Sequence, residues 1–332
     1  MLAGKFAKIL ASNRYAIYSI ALPLLAGAEK ANKSSVRDRN GRHQRRVATG
    51  MTGLIRWDRA RGDLDGYASM VPARPALIYQ SLLEDYAADQ IRENAGKVER
   101  YLAPILAGIG ARRVVDAGCG VGAMVERLLE LGFDAHGFDL QEQTPIWARA
   151  GRSRERYLVT DPLELALPLD DGSCDCVFSF GVLEHIGTED GHATRRTDYH
   201  AIRQQWTREV FRVIRPGGHL LLGGPNRCFP VDTAHGLDSR ATAAERWLSR
   251  RVGVSIHRPW GENFLWSYGD VRRYLAGLPY RMEGLSVHGL ANYSRVPAPF
   301  GTIARAYVKH LPKPLLATGL NPWVMALVQK TG

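Results

Sequence analysis

Cysteine is scarce: the 332 residues hold four, at Cys119, Cys174, Cys176 and Cys228, and none stands in a C-x-x-C pair. That excludes a disulfide framework and a zinc knuckle, and it makes a reducing compartment the simpler setting. Also missing is any uninterrupted apolar stretch of the roughly 18 or more residues that a membrane-spanning helix needs. The nearest is a run of 14 from Tyr15 to Ala28, broken by Pro23. Lys5, Lys8 and Arg14 before it and Ala26-Gly27-Ala28 at its end imitate a secretory signal. A packed helix and a helix lying in the plane of a membrane are the other two readings. Acidic residues are short in one place only. Residues 1–62 carry 13 Lys/Arg against 3 Asp/Glu, so most of the net charge of +11 belongs to this arm and the remaining 270 residues are nearly neutral. A basic arm on a neutral body points to an anionic surface met by the arm, not to a body built around nucleic acid.

What is present is an ordinary globular composition, 45% hydrophobic and 23% charged, long enough for a substantial core. Residues 1–75 are expected to be an apolar helix and a basic arm, the ten Lys/Arg between Lys30 and Arg61 marking a solvated segment. Residues 76–332 are expected to form the main domain. Apolar residues recur at helical spacing from about Ala76 to Leu106, and then the period changes. Short apolar runs at 113–116, 135–139, 157–160, 174–180 and 219–222 read as buried strands. Helical stretches at 121–131 and 200–214 lie between them, and Arg215-Pro216-Gly217-Gly218 reads as a turn. Two more strands are expected near 282–288 and 323–328. The alternation predicts a doubly wound, mostly parallel α/β sheet of seven strands, with its ligand at the carboxyl ends. The stretch 226–270 after the fifth strand is too long for an ordinary connection and is expected to be an insert or lid. Its Asn226, Asp232, His235 and His257, with Trp260, Phe264, Trp266 and Tyr268, would suit an acceptor that stacks on aromatic faces. The polar segment 187–200 reads as a mobile flap.

The chemistry concentrates in Val114-Val115-Asp116-Ala117-Gly118-Cys119-Gly120-Val121-Gly122, a strand entering a helix through alternating glycines. Glycines let the backbone turn and approach a ligand that a Cβ would block. Gly118, Gly120 and Ala123 satisfy the dinucleotide spacing, and Asp139 stands where a ribose-binding acid is expected. Asp116, however, puts a carboxylate two residues before the first glycine. There it would repel a pyrophosphate and attract an ammonium group.

These residues, together with Leu167 to Asp175 leading into Val182-Leu183-Glu184-His185-Ile186, and with Arg215 to Gly218 and its strand, resemble the class I S-adenosylmethionine-dependent methyltransferases of the type 11 domain group. The resemblance covers about residues 95–225. It implies the Rossmann-like methyltransferase fold and S-adenosyl-L-methionine as cofactor. It also implies that Gly118, Cys119, Gly120 and Gly122 form the loop under the methionine part, with Asp116 near the amino group. Asp139 would take the ribose hydroxyls and Asp161 the adenine amino group, while Phe180 and Gly181 line the pocket. Methyl transfer then needs alignment of the acceptor and removal of its proton. His185 and Glu184, after the fourth strand, and His235 in the insert are the candidates for that task. The resembling ubiquinone-pathway O-methyltransferases add an acidic metal ligand three residues before the Glu-His pair. Gly181 stands there in this chain, so no metal site is expected.

The expected activity is O-methylation of a small, glycan or lipid-linked acceptor by a cytoplasmic enzyme, held peripherally at the inner membrane face by anionic lipid. Three alternatives are a nucleic-acid methyltransferase using the basic arm, a nicotinamide-dependent dehydrogenase that would bind NAD, and a non-catalytic cofactor-binding partner subunit. Nucleic acid is disfavoured, because Ser179-Phe180-Gly181-Val182 lacks the Pro-Pro-aromatic motif of base amino-group methylation.

Overall fold

The computed structural model describes residues 91–332 except 92, 141–142, 154, 161–164, 190–192, 234, 292 and 294–298. The apolar helix and basic arm of the sequence reading, and Asp161, therefore lie outside the described residues. The described chain begins in a helix that passes through a π-turn at Val98–Leu102 into α1 (Ala103–Gly108). Then come β1 (Arg113–Ala117), α2 (Ala123–Glu130), β2 (Asp134–Asp139), α3 (Thr144–Arg149), β3 (Tyr157–Val159) and β4 (Cys174–Phe180). After them follow α4 (Tyr199–Arg212) and β5 (Ile214–Pro225).

The insert after β5 is built of β6 (Val231–Asp232), α5 (Ala243–Val252) and β7 (Ser255–Ile256), and α6 (Tyr268–Tyr274) leads out of it. The chain closes with β8 (Tyr280–Gly284), α7 (Phe300–His310) and β9 (Trp323–Lys330). Both α5 and α6 start on capping boxes, Thr242 with Glu245 and Ser267 with Asp270, so their first turns are fixed by local chemistry.

Seven strands make one sheet in the order β3-β2-β1-β4-β5-β9-β8, and β6 and β7 form a separate antiparallel ribbon. The pairs β1/β2, β1/β4, β2/β3 and β4/β5 are parallel, whereas β9 runs antiparallel to both neighbours. The order reverses between β1 and β4, and in open α/β sheets the crevice outside the carboxyl ends at such a reversal is where ligands bind. Alternate strand residues feed two cores. Val115, Val177, Leu220, Leu222 and Val324 pack with Trp206 and Phe211 of α4 and Tyr274 of α6. Val114, Phe178, Leu221 and Met325 pack with Leu102, Leu106, Val125 and Leu128 on the other face.

Two boundaries differ from the sequence reading. Arg215 to Gly218 does not precede a strand but bulges within β5: Cys174 pairs with Ile214 and Cys176 with His219, so the extra residues loop out of the ladder. The eighth strand runs over 280–284, not 282–288. It is the sheet edge, with alternately half-exposed residues, so its signal is not a continuous apolar run.

Candidate functional site

The loop after β1 lies at the strand reversal. The amides of Gly118 and Cys119 both donate to the Phe138 carbonyl, at 2.8 and 2.9 Å, tying the loop to β2. Gly118 has φ +97°, and a Cβ there would lie 2.2 Å from a Val182 methyl group. Gly120 has φ +53°, and a Cβ there would meet nothing within 4 Å, so this side of the loop is open to a ligand. Asp139 accepts from the Gly120 amide through Oδ2 at 2.6 Å and from the Leu140 amide through Oδ1 at 2.7 Å. The sequence reading missed what braces the loop from behind. Trp147 donates its indole N–H to the Gly120 carbonyl at 2.8 Å, and the Tyr157 hydroxyl donates to the Gly122 carbonyl at 3.1 Å. Both braces are contacts at a distance from residues whose local pattern reads only as helix and strand.

Asp116 is 4% exposed beneath the loop. Burial, and then the charge of Asp139, hold its carboxyl well above the ordinary carboxylate range. Burial and the same two acids push the Cys119 thiol up, which removes it as a nucleophile. Asp139, with Asp116 ionising as an ammonium group settles beside it, favours a cationic ligand over a diphosphate. The residues present thus fit a cofactor bearing an ammonium and a sulfonium group. Phe180 stands half-buried at the end of β4 with its ring 5.7 Å from that of Phe178, and Gly181 follows at φ +71°.

Beside the loop lies a second constellation. Beyond β4 the chain turns, with the His185 amide bonded to the Val182 carbonyl at 2.9 Å, and this turn carries Glu184 inward to full burial. Glu184 Oε2 accepts from the Trp266 indole at 3.0 Å. Oε1 accepts no hydrogen bond and lies 3.5 Å from His235 Nε2. An unsatisfied buried acceptor costs about 1–3 kcal/mol. His235 is turned into place by Asp232, whose Oδ2 lies 3.1 Å from His235 Nδ1 and accepts the His235 amide at 3.0 Å. The His185 and His235 rings are 5.7 Å apart.

Buried Arg203 of α4 clamps the framework. It donates to the carbonyls of Glu184 at 2.8 Å, Phe264 at 2.6 Å and Ile186 at 2.9 Å. Gly224 leaves the space: a Cβ there would come within 2.7 Å of the Trp266 indole and 2.9 Å of Glu184 Oε2. The cluster adjoins the cofactor loop, since Val182 touches Gly118 and the Cβ position of Gly181 is 3.7 Å from Glu184 Oε1.

The three catalytic candidates of the sequence reading therefore meet, although His235 comes from the insert. Their ligand-type atoms all lie within 4.8 Å of one another. The expectation of no metal site rested on Gly181 supplying no side chain, and the fold brings a third donor from elsewhere. Other expectations change. Phe264, Trp266 and Tyr268 are buried, 1%, 0% and 3% exposed, and serve the core and Glu184 instead of presenting stacking faces. Trp260 alone of the four is exposed. Asn226 is buried with its amide donating to the Thr318 and Asn321 carbonyls, and His257 Nε2 lies 3.0 Å from the Arg227 carbonyl. The described part of 187–200 is no free flap, because buried Arg195 pairs with Asp238 of the insert at 2.8 Å.

The reversal of strand order, the glycine turn after β1 and acids beneath and beside it are the features of an α/β domain suited to a nucleoside-bearing cofactor. Residues 115–222 match the family model of a methyltransferase domain. A protein of Mycolicibacterium smegmatis assigned as an S-adenosylmethionine-dependent methyltransferase is 34% identical over 116 residues, 35% of this chain and 39% of that relative. The ubiquinone biosynthesis O-methyltransferase of Cupriavidus pinatubonensis is 29% identical over 126 residues, 37% of this chain and 45% of the relative. The chain thus spans less than half the length of these relatives. A solved S-adenosylmethionine-dependent methyltransferase from Archaeoglobus fulgidus is 16% identical with a TM-score of 0.39, over 75% of this chain and 98% of that one. Over residues 115–222 the chain is thus similar to methyltransferase domains, and the curated relatives that match there use S-adenosylmethionine.

Proposed function

We propose that the chain transfers a methyl group to a hydroxyl oxygen of a glycan or lipid-linked acceptor at an anionic membrane face. The observation that carries this reading is the buried Glu184 with His185 and His235 beside the cofactor loop. A hydroxyl must lose its proton as it attacks, and a carboxylate flanked by two imidazoles can take it. The cofactor supplies an activated methyl group on a sulfonium. The chain's own residues do the rest. Asp116 favours the amino group of the cofactor, Asp139 takes its ribose hydroxyls, and Gly120 leaves its backbone accessible. The Glu184–His185–His235 cluster holds the acceptor oxygen and relieves it of its proton as the new C–O bond forms; the C–S electron pair stays on sulfur.

The membrane part has its own support. No Asp or Glu occurs from 284 to 332, while Arg305, Lys309 and Lys313 lie exposed on or just after α7. Phe300, Ile303 and Tyr307 are exposed on the same helix, at 65%, 60% and 38%. Helix α5 repeats the pattern with exposed Trp247, Leu248 and Val252 among Arg246, Arg250 and Arg251. Apolar side chains interleaved with cations suit a helix lying on anionic lipid. Both helices attach at the carboxyl end of β5. Helix α5 is in the insert that leaves it, and α7 is tied by Tyr307, whose hydroxyl bonds to the Leu320 carbonyl just before β9. Among the described residues no helix is long and apolar enough to cross a membrane.

The test is incubation of the full chain with methyl-labelled S-adenosylmethionine and a membrane-containing cell extract, followed by fractionation. Alkali-stable label in lipid or glycan is expected. Label in nucleic acid would replace the acceptor class, and cofactor binding without any label would favour a non-catalytic subunit.

A further inference from the structure

We infer that Glu184, His185 and His235 form a binding site for one divalent cation of the zinc type. This inference rests on the acceptor-hydroxyl reading above and assigns how the proton is lost. Two imidazoles and one carboxylate within 4.8 Å are the donor set that zinc and neighbouring divalent ions prefer, leaving positions open for an outside ligand.

Three features make this a built site. The first is Glu184 Oε1, fully buried, accepting no hydrogen bond and directed at His235 Nε2. Its separation of 3.5 Å from that nitrogen is close to the edge of a tetrahedron with bonds of about 2.0–2.1 Å. The second is that each oriented donor has an outer partner. Asp232 faces His235 Nδ1 at 3.1 Å and so turns Nε2 inward, and Trp266 holds Glu184 Oε2 at 3.0 Å and so leaves Oε1 for the ion. A carboxylate on the far nitrogen of an imidazole ligand is the usual way such a ligand is aimed and its basicity raised. The third is packing. Gly224 gives up a side chain so that the Trp266 indole and the Glu184 carboxylate can meet. Buried Arg203 spends Nη2 and Nε on carbonyls; its charge acts on Glu184 at a distance, and no ion pair joins the two among the described residues.

A cation there sits beside the cofactor loop. Its open position would take the acceptor oxygen and lower the pKa of the hydroxyl, the proton passing to water. The histidines then act as ligands, not as proton acceptors.

The experiment is equilibrium dialysis of the chelator-treated full chain against Zn2+, with Co2+ absorption as a spectroscopic report on the ligands. One equivalent is expected. Glu184→Gln and His235→Asn should each weaken binding at least tenfold, and Asp232→Asn about 10–100-fold. His219→Gln, midway along β5 and five residues before Gly224, should leave it unchanged. S-adenosylmethionine affinity is measured on each variant without metal, and a value within threefold of the parent shows that the domain is folded. Failure to bind zinc, or binding that survives both Glu184→Gln and His235→Asn in folded protein, overturns the site. Labelled acceptor formed by protein that binds no zinc would sink the metal and keep the acceptor reading. Zinc bound by these residues with no acceptor labelled would do the reverse.

Discussion

Asp116 shows what one residue contributes to stability and to binding. Its native carboxyl holds a proton more tightly than the same group in the unfolded chain, because burial and Asp139 disfavour its charge. The native state therefore binds more protons, and this contribution to stability, fully present below the unfolded value of about 4, is lost as pH rises through the higher native value. The cofactor-free Asp116→Asn variant should melt at a higher temperature than the parent at pH 8, with the gap closing toward pH 4. A lower melting temperature at pH 8 would contradict the account. The sequence shows Asp116, Asp139 and the three glycines plainly, because their meaning lies in spacing along the chain. It does not show Trp147 or Tyr157 bracing the loop, since a hydrogen bond to a carbonyl 27 or 35 residues away leaves no local pattern.

At the scale of elements, the site depends on where the insert returns. The segment before α6 brings Trp266 against Glu184, and the ribbon of β6 and β7 carries Asp232, with His235 just after it. Trp266→Phe removes the indole donor and part of a fully buried side chain, leaving a second carboxylate oxygen unsatisfied. The expected loss is about 2–4 kcal/mol in urea denaturation, and less than about 0.5 kcal/mol would show that the indole does not hold Glu184. The aromatic wealth of the insert is legible in sequence but its use is not. Apolar residues that face an acceptor and apolar residues that face a core have the same composition, and burial separates them only after folding. The edge strand β8 escaped its expected bounds for a related reason: an edge shows alternation, not a continuous apolar run.

For the whole molecule, alternation of period carried the reading. The five parallel strands, their order of appearance and the ligand-bearing carboxyl ends follow from short apolar runs separated by helical ones. What periodicity cannot carry is the meeting of His185 with His235, 50 positions on, because it depends on how the chain folds back after β5. The charge distribution is likewise visible in sequence, but only the structure shows that the acid-free end bears exposed Phe300 and Ile303. The central claim is that the loop from Gly118 to Gly122, with Asp116 beneath it, binds S-adenosylmethionine. Calorimetric titration of the full chain with that cofactor and, separately, with NAD tests it most directly. One equivalent of S-adenosylmethionine should bind, NAD should not, and Asp116→Asn should weaken the first at least tenfold. Binding of NAD instead, or a folded Asp116→Asn protein with undiminished affinity for S-adenosylmethionine, would contradict it.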